Sequence, residues 1–458
     1  MKVQTKVATL AAAALLCAGT ANAAVQLNIY GASAQGDFWV SEAVPFLKYL
    51  GCTTTDPANG DAYNKKIAFN SGSQVKYGFA SGSGCDVTKV PGGSIEIRTA
   101  GIASLEGPLA VNLNLPLENE ADDGCPNAGE RRLPKDKTIA TGTLASSLGC
   151  YKVHVGTSDL DAANINQVAF DNAVPPKQYP LAPAGTDFSS LTADKALVVP
   201  FSFVVNKGVT ARHCIDTTGA RTGAYCTDAT QCPSGNTCET TFKTINNLSR
   251  LQAVMLFSGQ VPTWKYLGEY FGSAAGAQGS AADITTKVCL RVPGSGTHAV
   301  LDKMIMSAGD TGWGTSIAAY NDPTGIPSVN YVKTSDDMVT CVNGAAGAVG
   351  YLDADKGISA TAGPNVVKVN YNGNFPSRTN IRNGVYDYYS IGLLYTNPAT
   401  LTADDATVYS NLLAFANDPA NIPASKQLWW ATFGEMQYYR GTDLSFPVYI
   451  GAATPATP

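Results

Sequence analysis

Seven residues, Arg291-Val-Pro-Gly-Ser-Gly-Thr297, bring together the side chains of this chain best suited to chemistry. A serine and a threonine flanked by glycine at the opening of a helix present several backbone N–H groups, two hydroxyl donors and the positive end of the helix dipole at one point. Such a point attracts an anion. Arg291, closing the preceding strand, adds a planar fork of donors that matches two oxygens of a tetrahedral oxyanion or a carboxylate. The plainer alternative is a strand-to-helix turn in which Ser295 or Thr297 only caps the helix and Arg291 pairs with an acid. A second candidate, Asp159, stands in Gly156-Thr-Ser-Asp159-Leu160, after the apolar stretch Tyr151-Lys-Val-His-Val155. An ionised carboxylate only accepts hydrogen bonds, so beside an anion it requires a ligand that still carries a proton. Monohydrogen phosphate meets that requirement and sulfate does not; the alternative is that Asp159 simply caps a helix.

His298 allows a rival reading. With Ser295 or Thr297 as nucleophile and Asp159 as orienting acid, a hydrolase triad can be drawn. A serine three residues before the histidine in one helical turn is badly placed for attack, and the chain carries no GxSxG, HExxH or Walker pattern. The residues therefore argue for binding rather than catalysis, and they call for no cofactor.

The elements that must position these groups alternate. Val25–Tyr30 reads as a strand, followed by the small-residue loop Gly31–Gly36 and an apolar-periodic helix from Phe38 to Leu50. Ala196–Val205 is a β-branched and aromatic run suited to a buried crossing strand. Leu248, Leu251, Val254 and Phe257 recur at helical spacing and stop at Gly259. Thr286–Val292 is a strand, and an amphipathic stretch follows from His298 to Ser307. Gly347–Leu352 and Tyr388–Tyr395 read as strands, and Thr402 with Asp404 and Asp405 opens a helix carrying Val408, Leu412 and Phe415 on one face. This order predicts an α/β protein. Two stretches, about 106–140 and 210–240, interrupt it and read as inserted surface loops. Trp429-Trp430 and Tyr438-Tyr439 read as packing residues rather than a sugar platform.

Composition agrees. The 458 residues are 45% hydrophobic and only 15% charged, with 45 glycines, which excludes disorder and long charged helices. A net charge of −5 without a lysine or arginine cluster argues against nucleic acid as a partner. Residues 1–23 read as a signal peptide, with Lys2 and Lys6, an apolar run to Ala18 and a small-x-small site at Ala21-Asn22-Ala23. Removing Lys2 and Lys6 from the 31 basic residues leaves 29 against 36 acidic ones, a net charge of −7. Cys17 would serve a lipid anchor only with a small residue before it, and Leu16 stands there. Ten cysteines remain, most simply as five disulfides of a periplasmic or extracellular protein. Cys214, Cys226, Cys232 and Cys238 are expected to staple a loop, and Cys289 and Cys341 to tie neighbouring strands. Their spacings do not suit zinc, so no metal is expected.

The order strand-GASAQ, a serine–glycine loop, GTSDL, the long crossing strand, Phe257-Ser-Gly-Gln-Val-Pro-Thr-Trp264, RVPGSGT and Gly347-Ala-Val-Gly-Tyr351 resembles the periplasmic phosphate-binding proteins of ABC transporters, the PstS-like solute-binding family. The resemblance implies a two-lobed periplasmic-binding-protein (type II) fold with a hinge and, here, disulfide-stapled loop insertions. It implies capture of inorganic phosphate and its delivery to an ABC permease complex. It divides the chain into a discontinuous first lobe, 24–200 and 386–458, and a second lobe, 201–385, joined by crossing segments near 198–206 and 385–396. Around the ligand it places Arg291, Ser295, Gly296 and Thr297 from the second lobe and Asp159 from the first. The serine loop is either Asn70–Ser73, with Ser71 and Ser73, or Tyr77–Gly84, with Ser81 and Ser83; the tyrosine-glycine lead and a following helix favour Ser81 and Ser83. The family's first turn ends in Thr-Phe where this chain has Gln35, which could donate an amide hydrogen bond instead. Pro293 replaces the aspartate that often restrains the arginine, and His298 is unusual after the threonine. These departures admit a related oxyanion such as arsenate, phosphonate, molybdate or sulfate. The same fold could also serve a surface or secreted interaction protein, with a protein partner held through the two inserts.

Overall fold

The computed structural model describes residues 24–56, 65–68, 74–116, 125–137, 144–166, 185–259, 261–273, 283–291, 295–306, 329–332 and 334–450. The expected signal peptide, Ser71, Ser73 and Pro293 lie outside the described residues. The elements that build the site are, in chain order, β1 (Val25–Gly31), α1 (Ser33–Ser41), α2 (Ala43–Tyr49), β2 (Gln74–Ser83), β3 (Ser94–Gly101), α3 (Glu106–Val111), β4 (Val155–Ser158) and β5 (Thr192–Asn206). The chain continues with α4 (Arg250–Phe257), β6 (Lys287–Arg291), α5 (Gly296–Val300), β7 (Val329–Val332), α6 (Ser335–Asn343), β8 (Ala348–Asp353), β9 (Val366–Tyr371), β10 (Tyr389–Thr396) and α7 (Ala403–Asn417).

One mixed sheet links these strands in the order β7-β6-β8-β5-β10-β4-β1-β3-β2. Its centre is β5, which changes partners along its length. Thr192–Pro200 pairs with β10, while Phe201–Asn206 pairs with β8 and β9. Pro200 falls at the changeover, where a missing backbone donor disturbs the ladder least. The strand's run of Ala, Val, Pro and Phe from Ala196 onward is buried throughout, as a strand covered on both faces requires. The result is two α/β halves, one around β1, β3 and β4 and the other around β6, β7 and β8, sharing a strand.

Helix starts follow the sequence signals. Thr402 caps α7 and exchanges hydrogen bonds with Asp405, each 3.1 Å, and the helix buries Val408, Leu412 and Phe415. Ser249 and Gln252 form the same reciprocal cap on α4. Trp264 is fully buried and its Nε1 donates to the Gly347 carbonyl at 3.0 Å, tying two of the recognised sequence segments together. Trp430 is likewise buried in the core.

Five disulfides join Cys52–Cys85, Cys125–Cys150, Cys214–Cys232, Cys226–Cys238 and Cys289–Cys341. The third and fourth bonds interleave around a small antiparallel sheet built from His213–Ile215, Arg221–Tyr225 and Thr237–Cys238, so the cysteine cluster does staple a loop to itself. Cys289 and Cys341 depart from expectation: Cys289 is on β6 but Cys341 is on α6, so the bond pins a covering helix to the sheet rather than joining two strands. The stretch from 106 also departs from a surface loop. Every residue of α3 is buried, and Glu106 holds the fully buried Arg131 at 2.8 Å, an ion pair that explains how charged residues sit in a core. Strand Glu130–Pro134 then pairs with Leu148–Lys152.

The Cys289–Cys341 bond closes 52 residues of chain. Substituting both with alanine is expected to lower unfolding stability by about 4 kcal/mol in the chain-entropy account. Denaturant unfolding checks this, and an unchanged midpoint would show that α6 docks without the bond.

Candidate functional site

Three parallel strands deliver their C-terminal ends to one place. β1 pairs with β3 so that Gly31 faces Gly101, and with β4 so that Gly31 faces Thr157. Gly31 has φ 140°, and a Cβ there would lie 2.1 Å from the Thr157 carbonyl oxygen, so only glycine lets the chain turn into α1 at this point. The Ala32 N–H donates to the Thr157 carbonyl at 2.9 Å and its hydroxyl oxygen at 2.8 Å, fixing that turn.

Beyond these strand ends stand Gln35, Ser104 and Asp159. Asp159 is buried and accepts hydrogen bonds from the Ser104 hydroxyl at 2.8 Å and the Gln35 amide at 3.4 Å. Burial pushes its carboxyl up to about 6, with Asp353 adding in the same direction; the hydrogen bonds and Arg291 act against this. Gln35 donates more strongly to the Ser158 carbonyl, at 2.8 Å, so its amide nitrogen is committed to holding the Ser158–Asp159 turn rather than to a ligand. Its Oε1 is buried and accepts nothing among the described residues.

The second half answers from β6 and α5. Arg291 ends β6, is buried, and its backbone N–H donates to the Tyr351 hydroxyl at 2.9 Å. Its Nη1 lies 3.4 Å from the Ser335 hydroxyl, which donates to Asp353 at 3.2 Å. That arrangement steadies the guanidinium in a chain that has Pro293 where an aspartate was expected. Ser295 is the N-cap residue of α5, yet its hydroxyl makes no capping bond and has no hydrogen-bond partner among the described residues, although the residue is 4% exposed. Thr297 is buried beside it, and α5 runs on as a π-helical turn, Leu301–Met306.

The two halves meet at Gly296. A Cβ on it would stand 2.0 Å from Ser104 Oγ and 2.4 Å from Asp159 Oδ2. Asp159, Ser104, Gly296 and the flanking Ser295 and Thr297 are therefore one cluster, with Arg291 close enough to stabilise the ionised Asp159.

Ser81 and Ser83 do not belong to it. Both lie on β2, which runs antiparallel to β3, with Ser81 opposite Glu96 and Ser83 opposite Ser94. Gly101 marks the site end of β3. At the rise of an extended strand, this puts Ser81 and Ser83 about 17 Å and 23 Å from that end. The serine beside Asp159 is Ser104, and its signal was available: a strand, the short turn Gly101-Ile-Ala-Ser104, then a helix.

The triad is not assembled. The hydrogen bonds that Asp159 accepts come from Ser104 and Gln35, not from His298. His298 Nδ1 is 2.8 Å from the Tyr351 hydroxyl, and burial, with Arg291 nearby, holds its pKa down to about 3, so the imidazole is neutral.

No family model matches the chain, and no curated protein matches its sequence. Among solved structures it is similar to a high-affinity periplasmic phosphate-binding protein, PfluDING, with 13% identity and a TM-score of 0.43 over 92% of this chain and 96% of that one. It is also similar to an ABC-type phosphate transport receptor from Vibrio cholerae, with 12% identity and a TM-score of 0.39 over 84% and 93%. PstS from Borrelia burgdorferi aligns with 9% identity and a TM-score of 0.39 over 89% and 98%.

Raising the Asp159 pKa from 3.8 to about 6 means that the folded protein binds more protons than the unfolded chain between those values. Stability then falls as pH rises through that window. Without ligand, Asp159→Asn is expected to gain about 3 kcal/mol on wild type between about pH 4 and pH 6. Unfolding titrations across that range check it; parallel curves would show that Asp159 is solvated.

Proposed function

We propose that this is an exported solute-binding protein that captures inorganic phosphate between its two halves and presents it to an ABC permease. One observation carries the reading. A buried acceptor, Asp159, lies against Gly296, the residue next in sequence to the unpartnered hydroxyl of Ser295, with no room for a side chain between them, and is near enough to Arg291 to feel its charge. Donors on one side and a carboxylate on the other select a tetrahedral anion that both receives hydrogen bonds and gives one back. Phosphate near neutral pH does both; sulfate leaves the carboxylate facing an oxygen, with two buried acceptors opposed.

In this reading the halves correspond to 24–200 with 386–458 and to 201–385, and β5 with β10 forms the hinge. Closure buries the ligand, which strengthens each charge-assisted bond. The chain's part is capture and release, with no bond made or broken. Five disulfides support export to the periplasm or beyond. Among the described residues no helix is long and apolar enough to cross a membrane.

Calorimetric titration of ligand-stripped protein tests the reading. Phosphate is expected to bind at one site and sulfate to give no comparable heat, with Arg291→Ala weakening phosphate by about tenfold to a hundredfold, the worth of a charged hydrogen bond. Equal binding of the two anions, or an Arg291→Ala variant indistinguishable from wild type, would overturn it.

A further inference from the structure

A cavity of about 300 Å³ lies beside the crossing strands, on the other side of the sheet from Asp159. The sides are told apart by β10: Ile391 and Leu393 line the cavity, whereas a Cβ on Gly392 between them would stand 2.8 Å from the Gln35 side chain. Its volume is at the lower end of small-molecule sites, about 300–1,000 Å³. Met304 reaches it from the second half, and with Ile391 and Leu393 it forms an apolar wall.

The opposite wall is charged and incompletely satisfied. Lys195 has its Nζ 5.0 Å from the Phe433 ring and 4.9 Å from the Tyr439 ring, and this ammonium makes no hydrogen bond or ion pair with any described residue. Arg440 is 2% exposed. Its two terminal nitrogens donate to the carbonyls of Ser445 and Asp387, and Nη2 also lies 3.8 Å from the Asp387 carboxylate, so Arg440 is already paired and walls the cavity without a free donor facing it. Against these cations stands Asp443, whose Oδ2 accepts from the Asp161 N–H at 2.9 Å and the Asn164 amide at 2.6 Å. Oδ1 accepts nothing among the described residues, and burial raises the pKa of this carboxyl. With Asp161 beside it, Lys195 and Asp443 are the charged groups of the lining left with capacity for a ligand.

From this wall we infer a second ligand site, taking a small zwitterion with an apolar body, of the α-amino-acid class. The ligand carboxylate faces Lys195, its ammonium faces Asp443 Oδ1 and Asp161, and its hydrocarbon covers Met304, Ile391 and Leu393. A ligand of one sign meets only one of these charges and leaves the other without a partner. The site is separate from the proposed anion site.

Calorimetry and thermal melting of the full protein with L-leucine, L-methionine and L-phenylalanine test the inference. Two single-charge probes, 4-methylpentanoate and 3-methylbutylamine, keep the leucine hydrocarbon but lack the ammonium or the carboxylate. At least one amino acid is expected to bind, with the single-charge probes weaker by about tenfold or more. Lys195→Met and Asp443→Asn, each checked for an unaltered melting transition without ligand, should each weaken that amino acid by about tenfold. Arg291→Ala should leave it unchanged, whether or not phosphate binds. Neither heat nor a melting shift with any of the three, equal binding of a single-charge probe, or indifference to both cavity substitutions would overturn the inference.

Discussion

Asp159 is a carboxylate held out of water with one hydroxyl and one amide on it and a glycine from the other half of the chain laid against it. Much of the surrounding arrangement answers to that constraint. An ionised group in such a place needs donors, and the ends of three strands in fixed register supply them: α1 brings Gln35, the turn after β3 brings Ser104, and the turn after β4 brings Asp159 itself. Any side chain at 296 would force the halves apart. Asp353, the other nearby carboxylate, accepts a hydrogen bond from Ser335, which also lies beside Arg291.

The long strand β5 makes two halves mechanically one molecule. Its first part is bonded to β10 and its second to β8 and β9, so movement of one half against the other must be absorbed near Pro200 and at the entry to β10. Asp387 sits at that entry and pairs with both Arg250, on α4 of the second half, and Arg440, on the wall of the second cavity. A proposed ligand site therefore flanks each face of the crossing strands.

Sequence patterns reached far into this fold where local physics decides. The capped start of α7, the apolar face Val408, Leu412 and Phe415, and the buried run in β5 are all encoded within a few residues. That Arg291, Ser295, Gly296, Thr297 and Asp159 lie near one another was legible because strand, small-residue turn and helix occur together around them. Ser81 and Ser83 misled because a serine–glycine run looks alike in a loop and in an edge-ward strand; only the antiparallel pairing of β2 with β3 sends them to the wrong end. Ser104 had the right local pattern but lay next to a charged stretch read as an insert. That stretch is core because Glu106 and Arg131, 25 positions apart, neutralise each other, and the sequence does not display such a pairing. Cys341 on a helix rather than a strand is a tertiary fact of the same kind.

The central claim is that a buried acceptor at Asp159 demands a proton from the bound anion. Anion selectivity of Asp159→Asn, measured by calorimetry with phosphate and sulfate, tests it most directly. An amide donates as well as accepts, so the account predicts that sulfate gains and phosphate loses, each by about tenfold or more. Two anions weakened equally, or a preference left as in wild type, would contradict it.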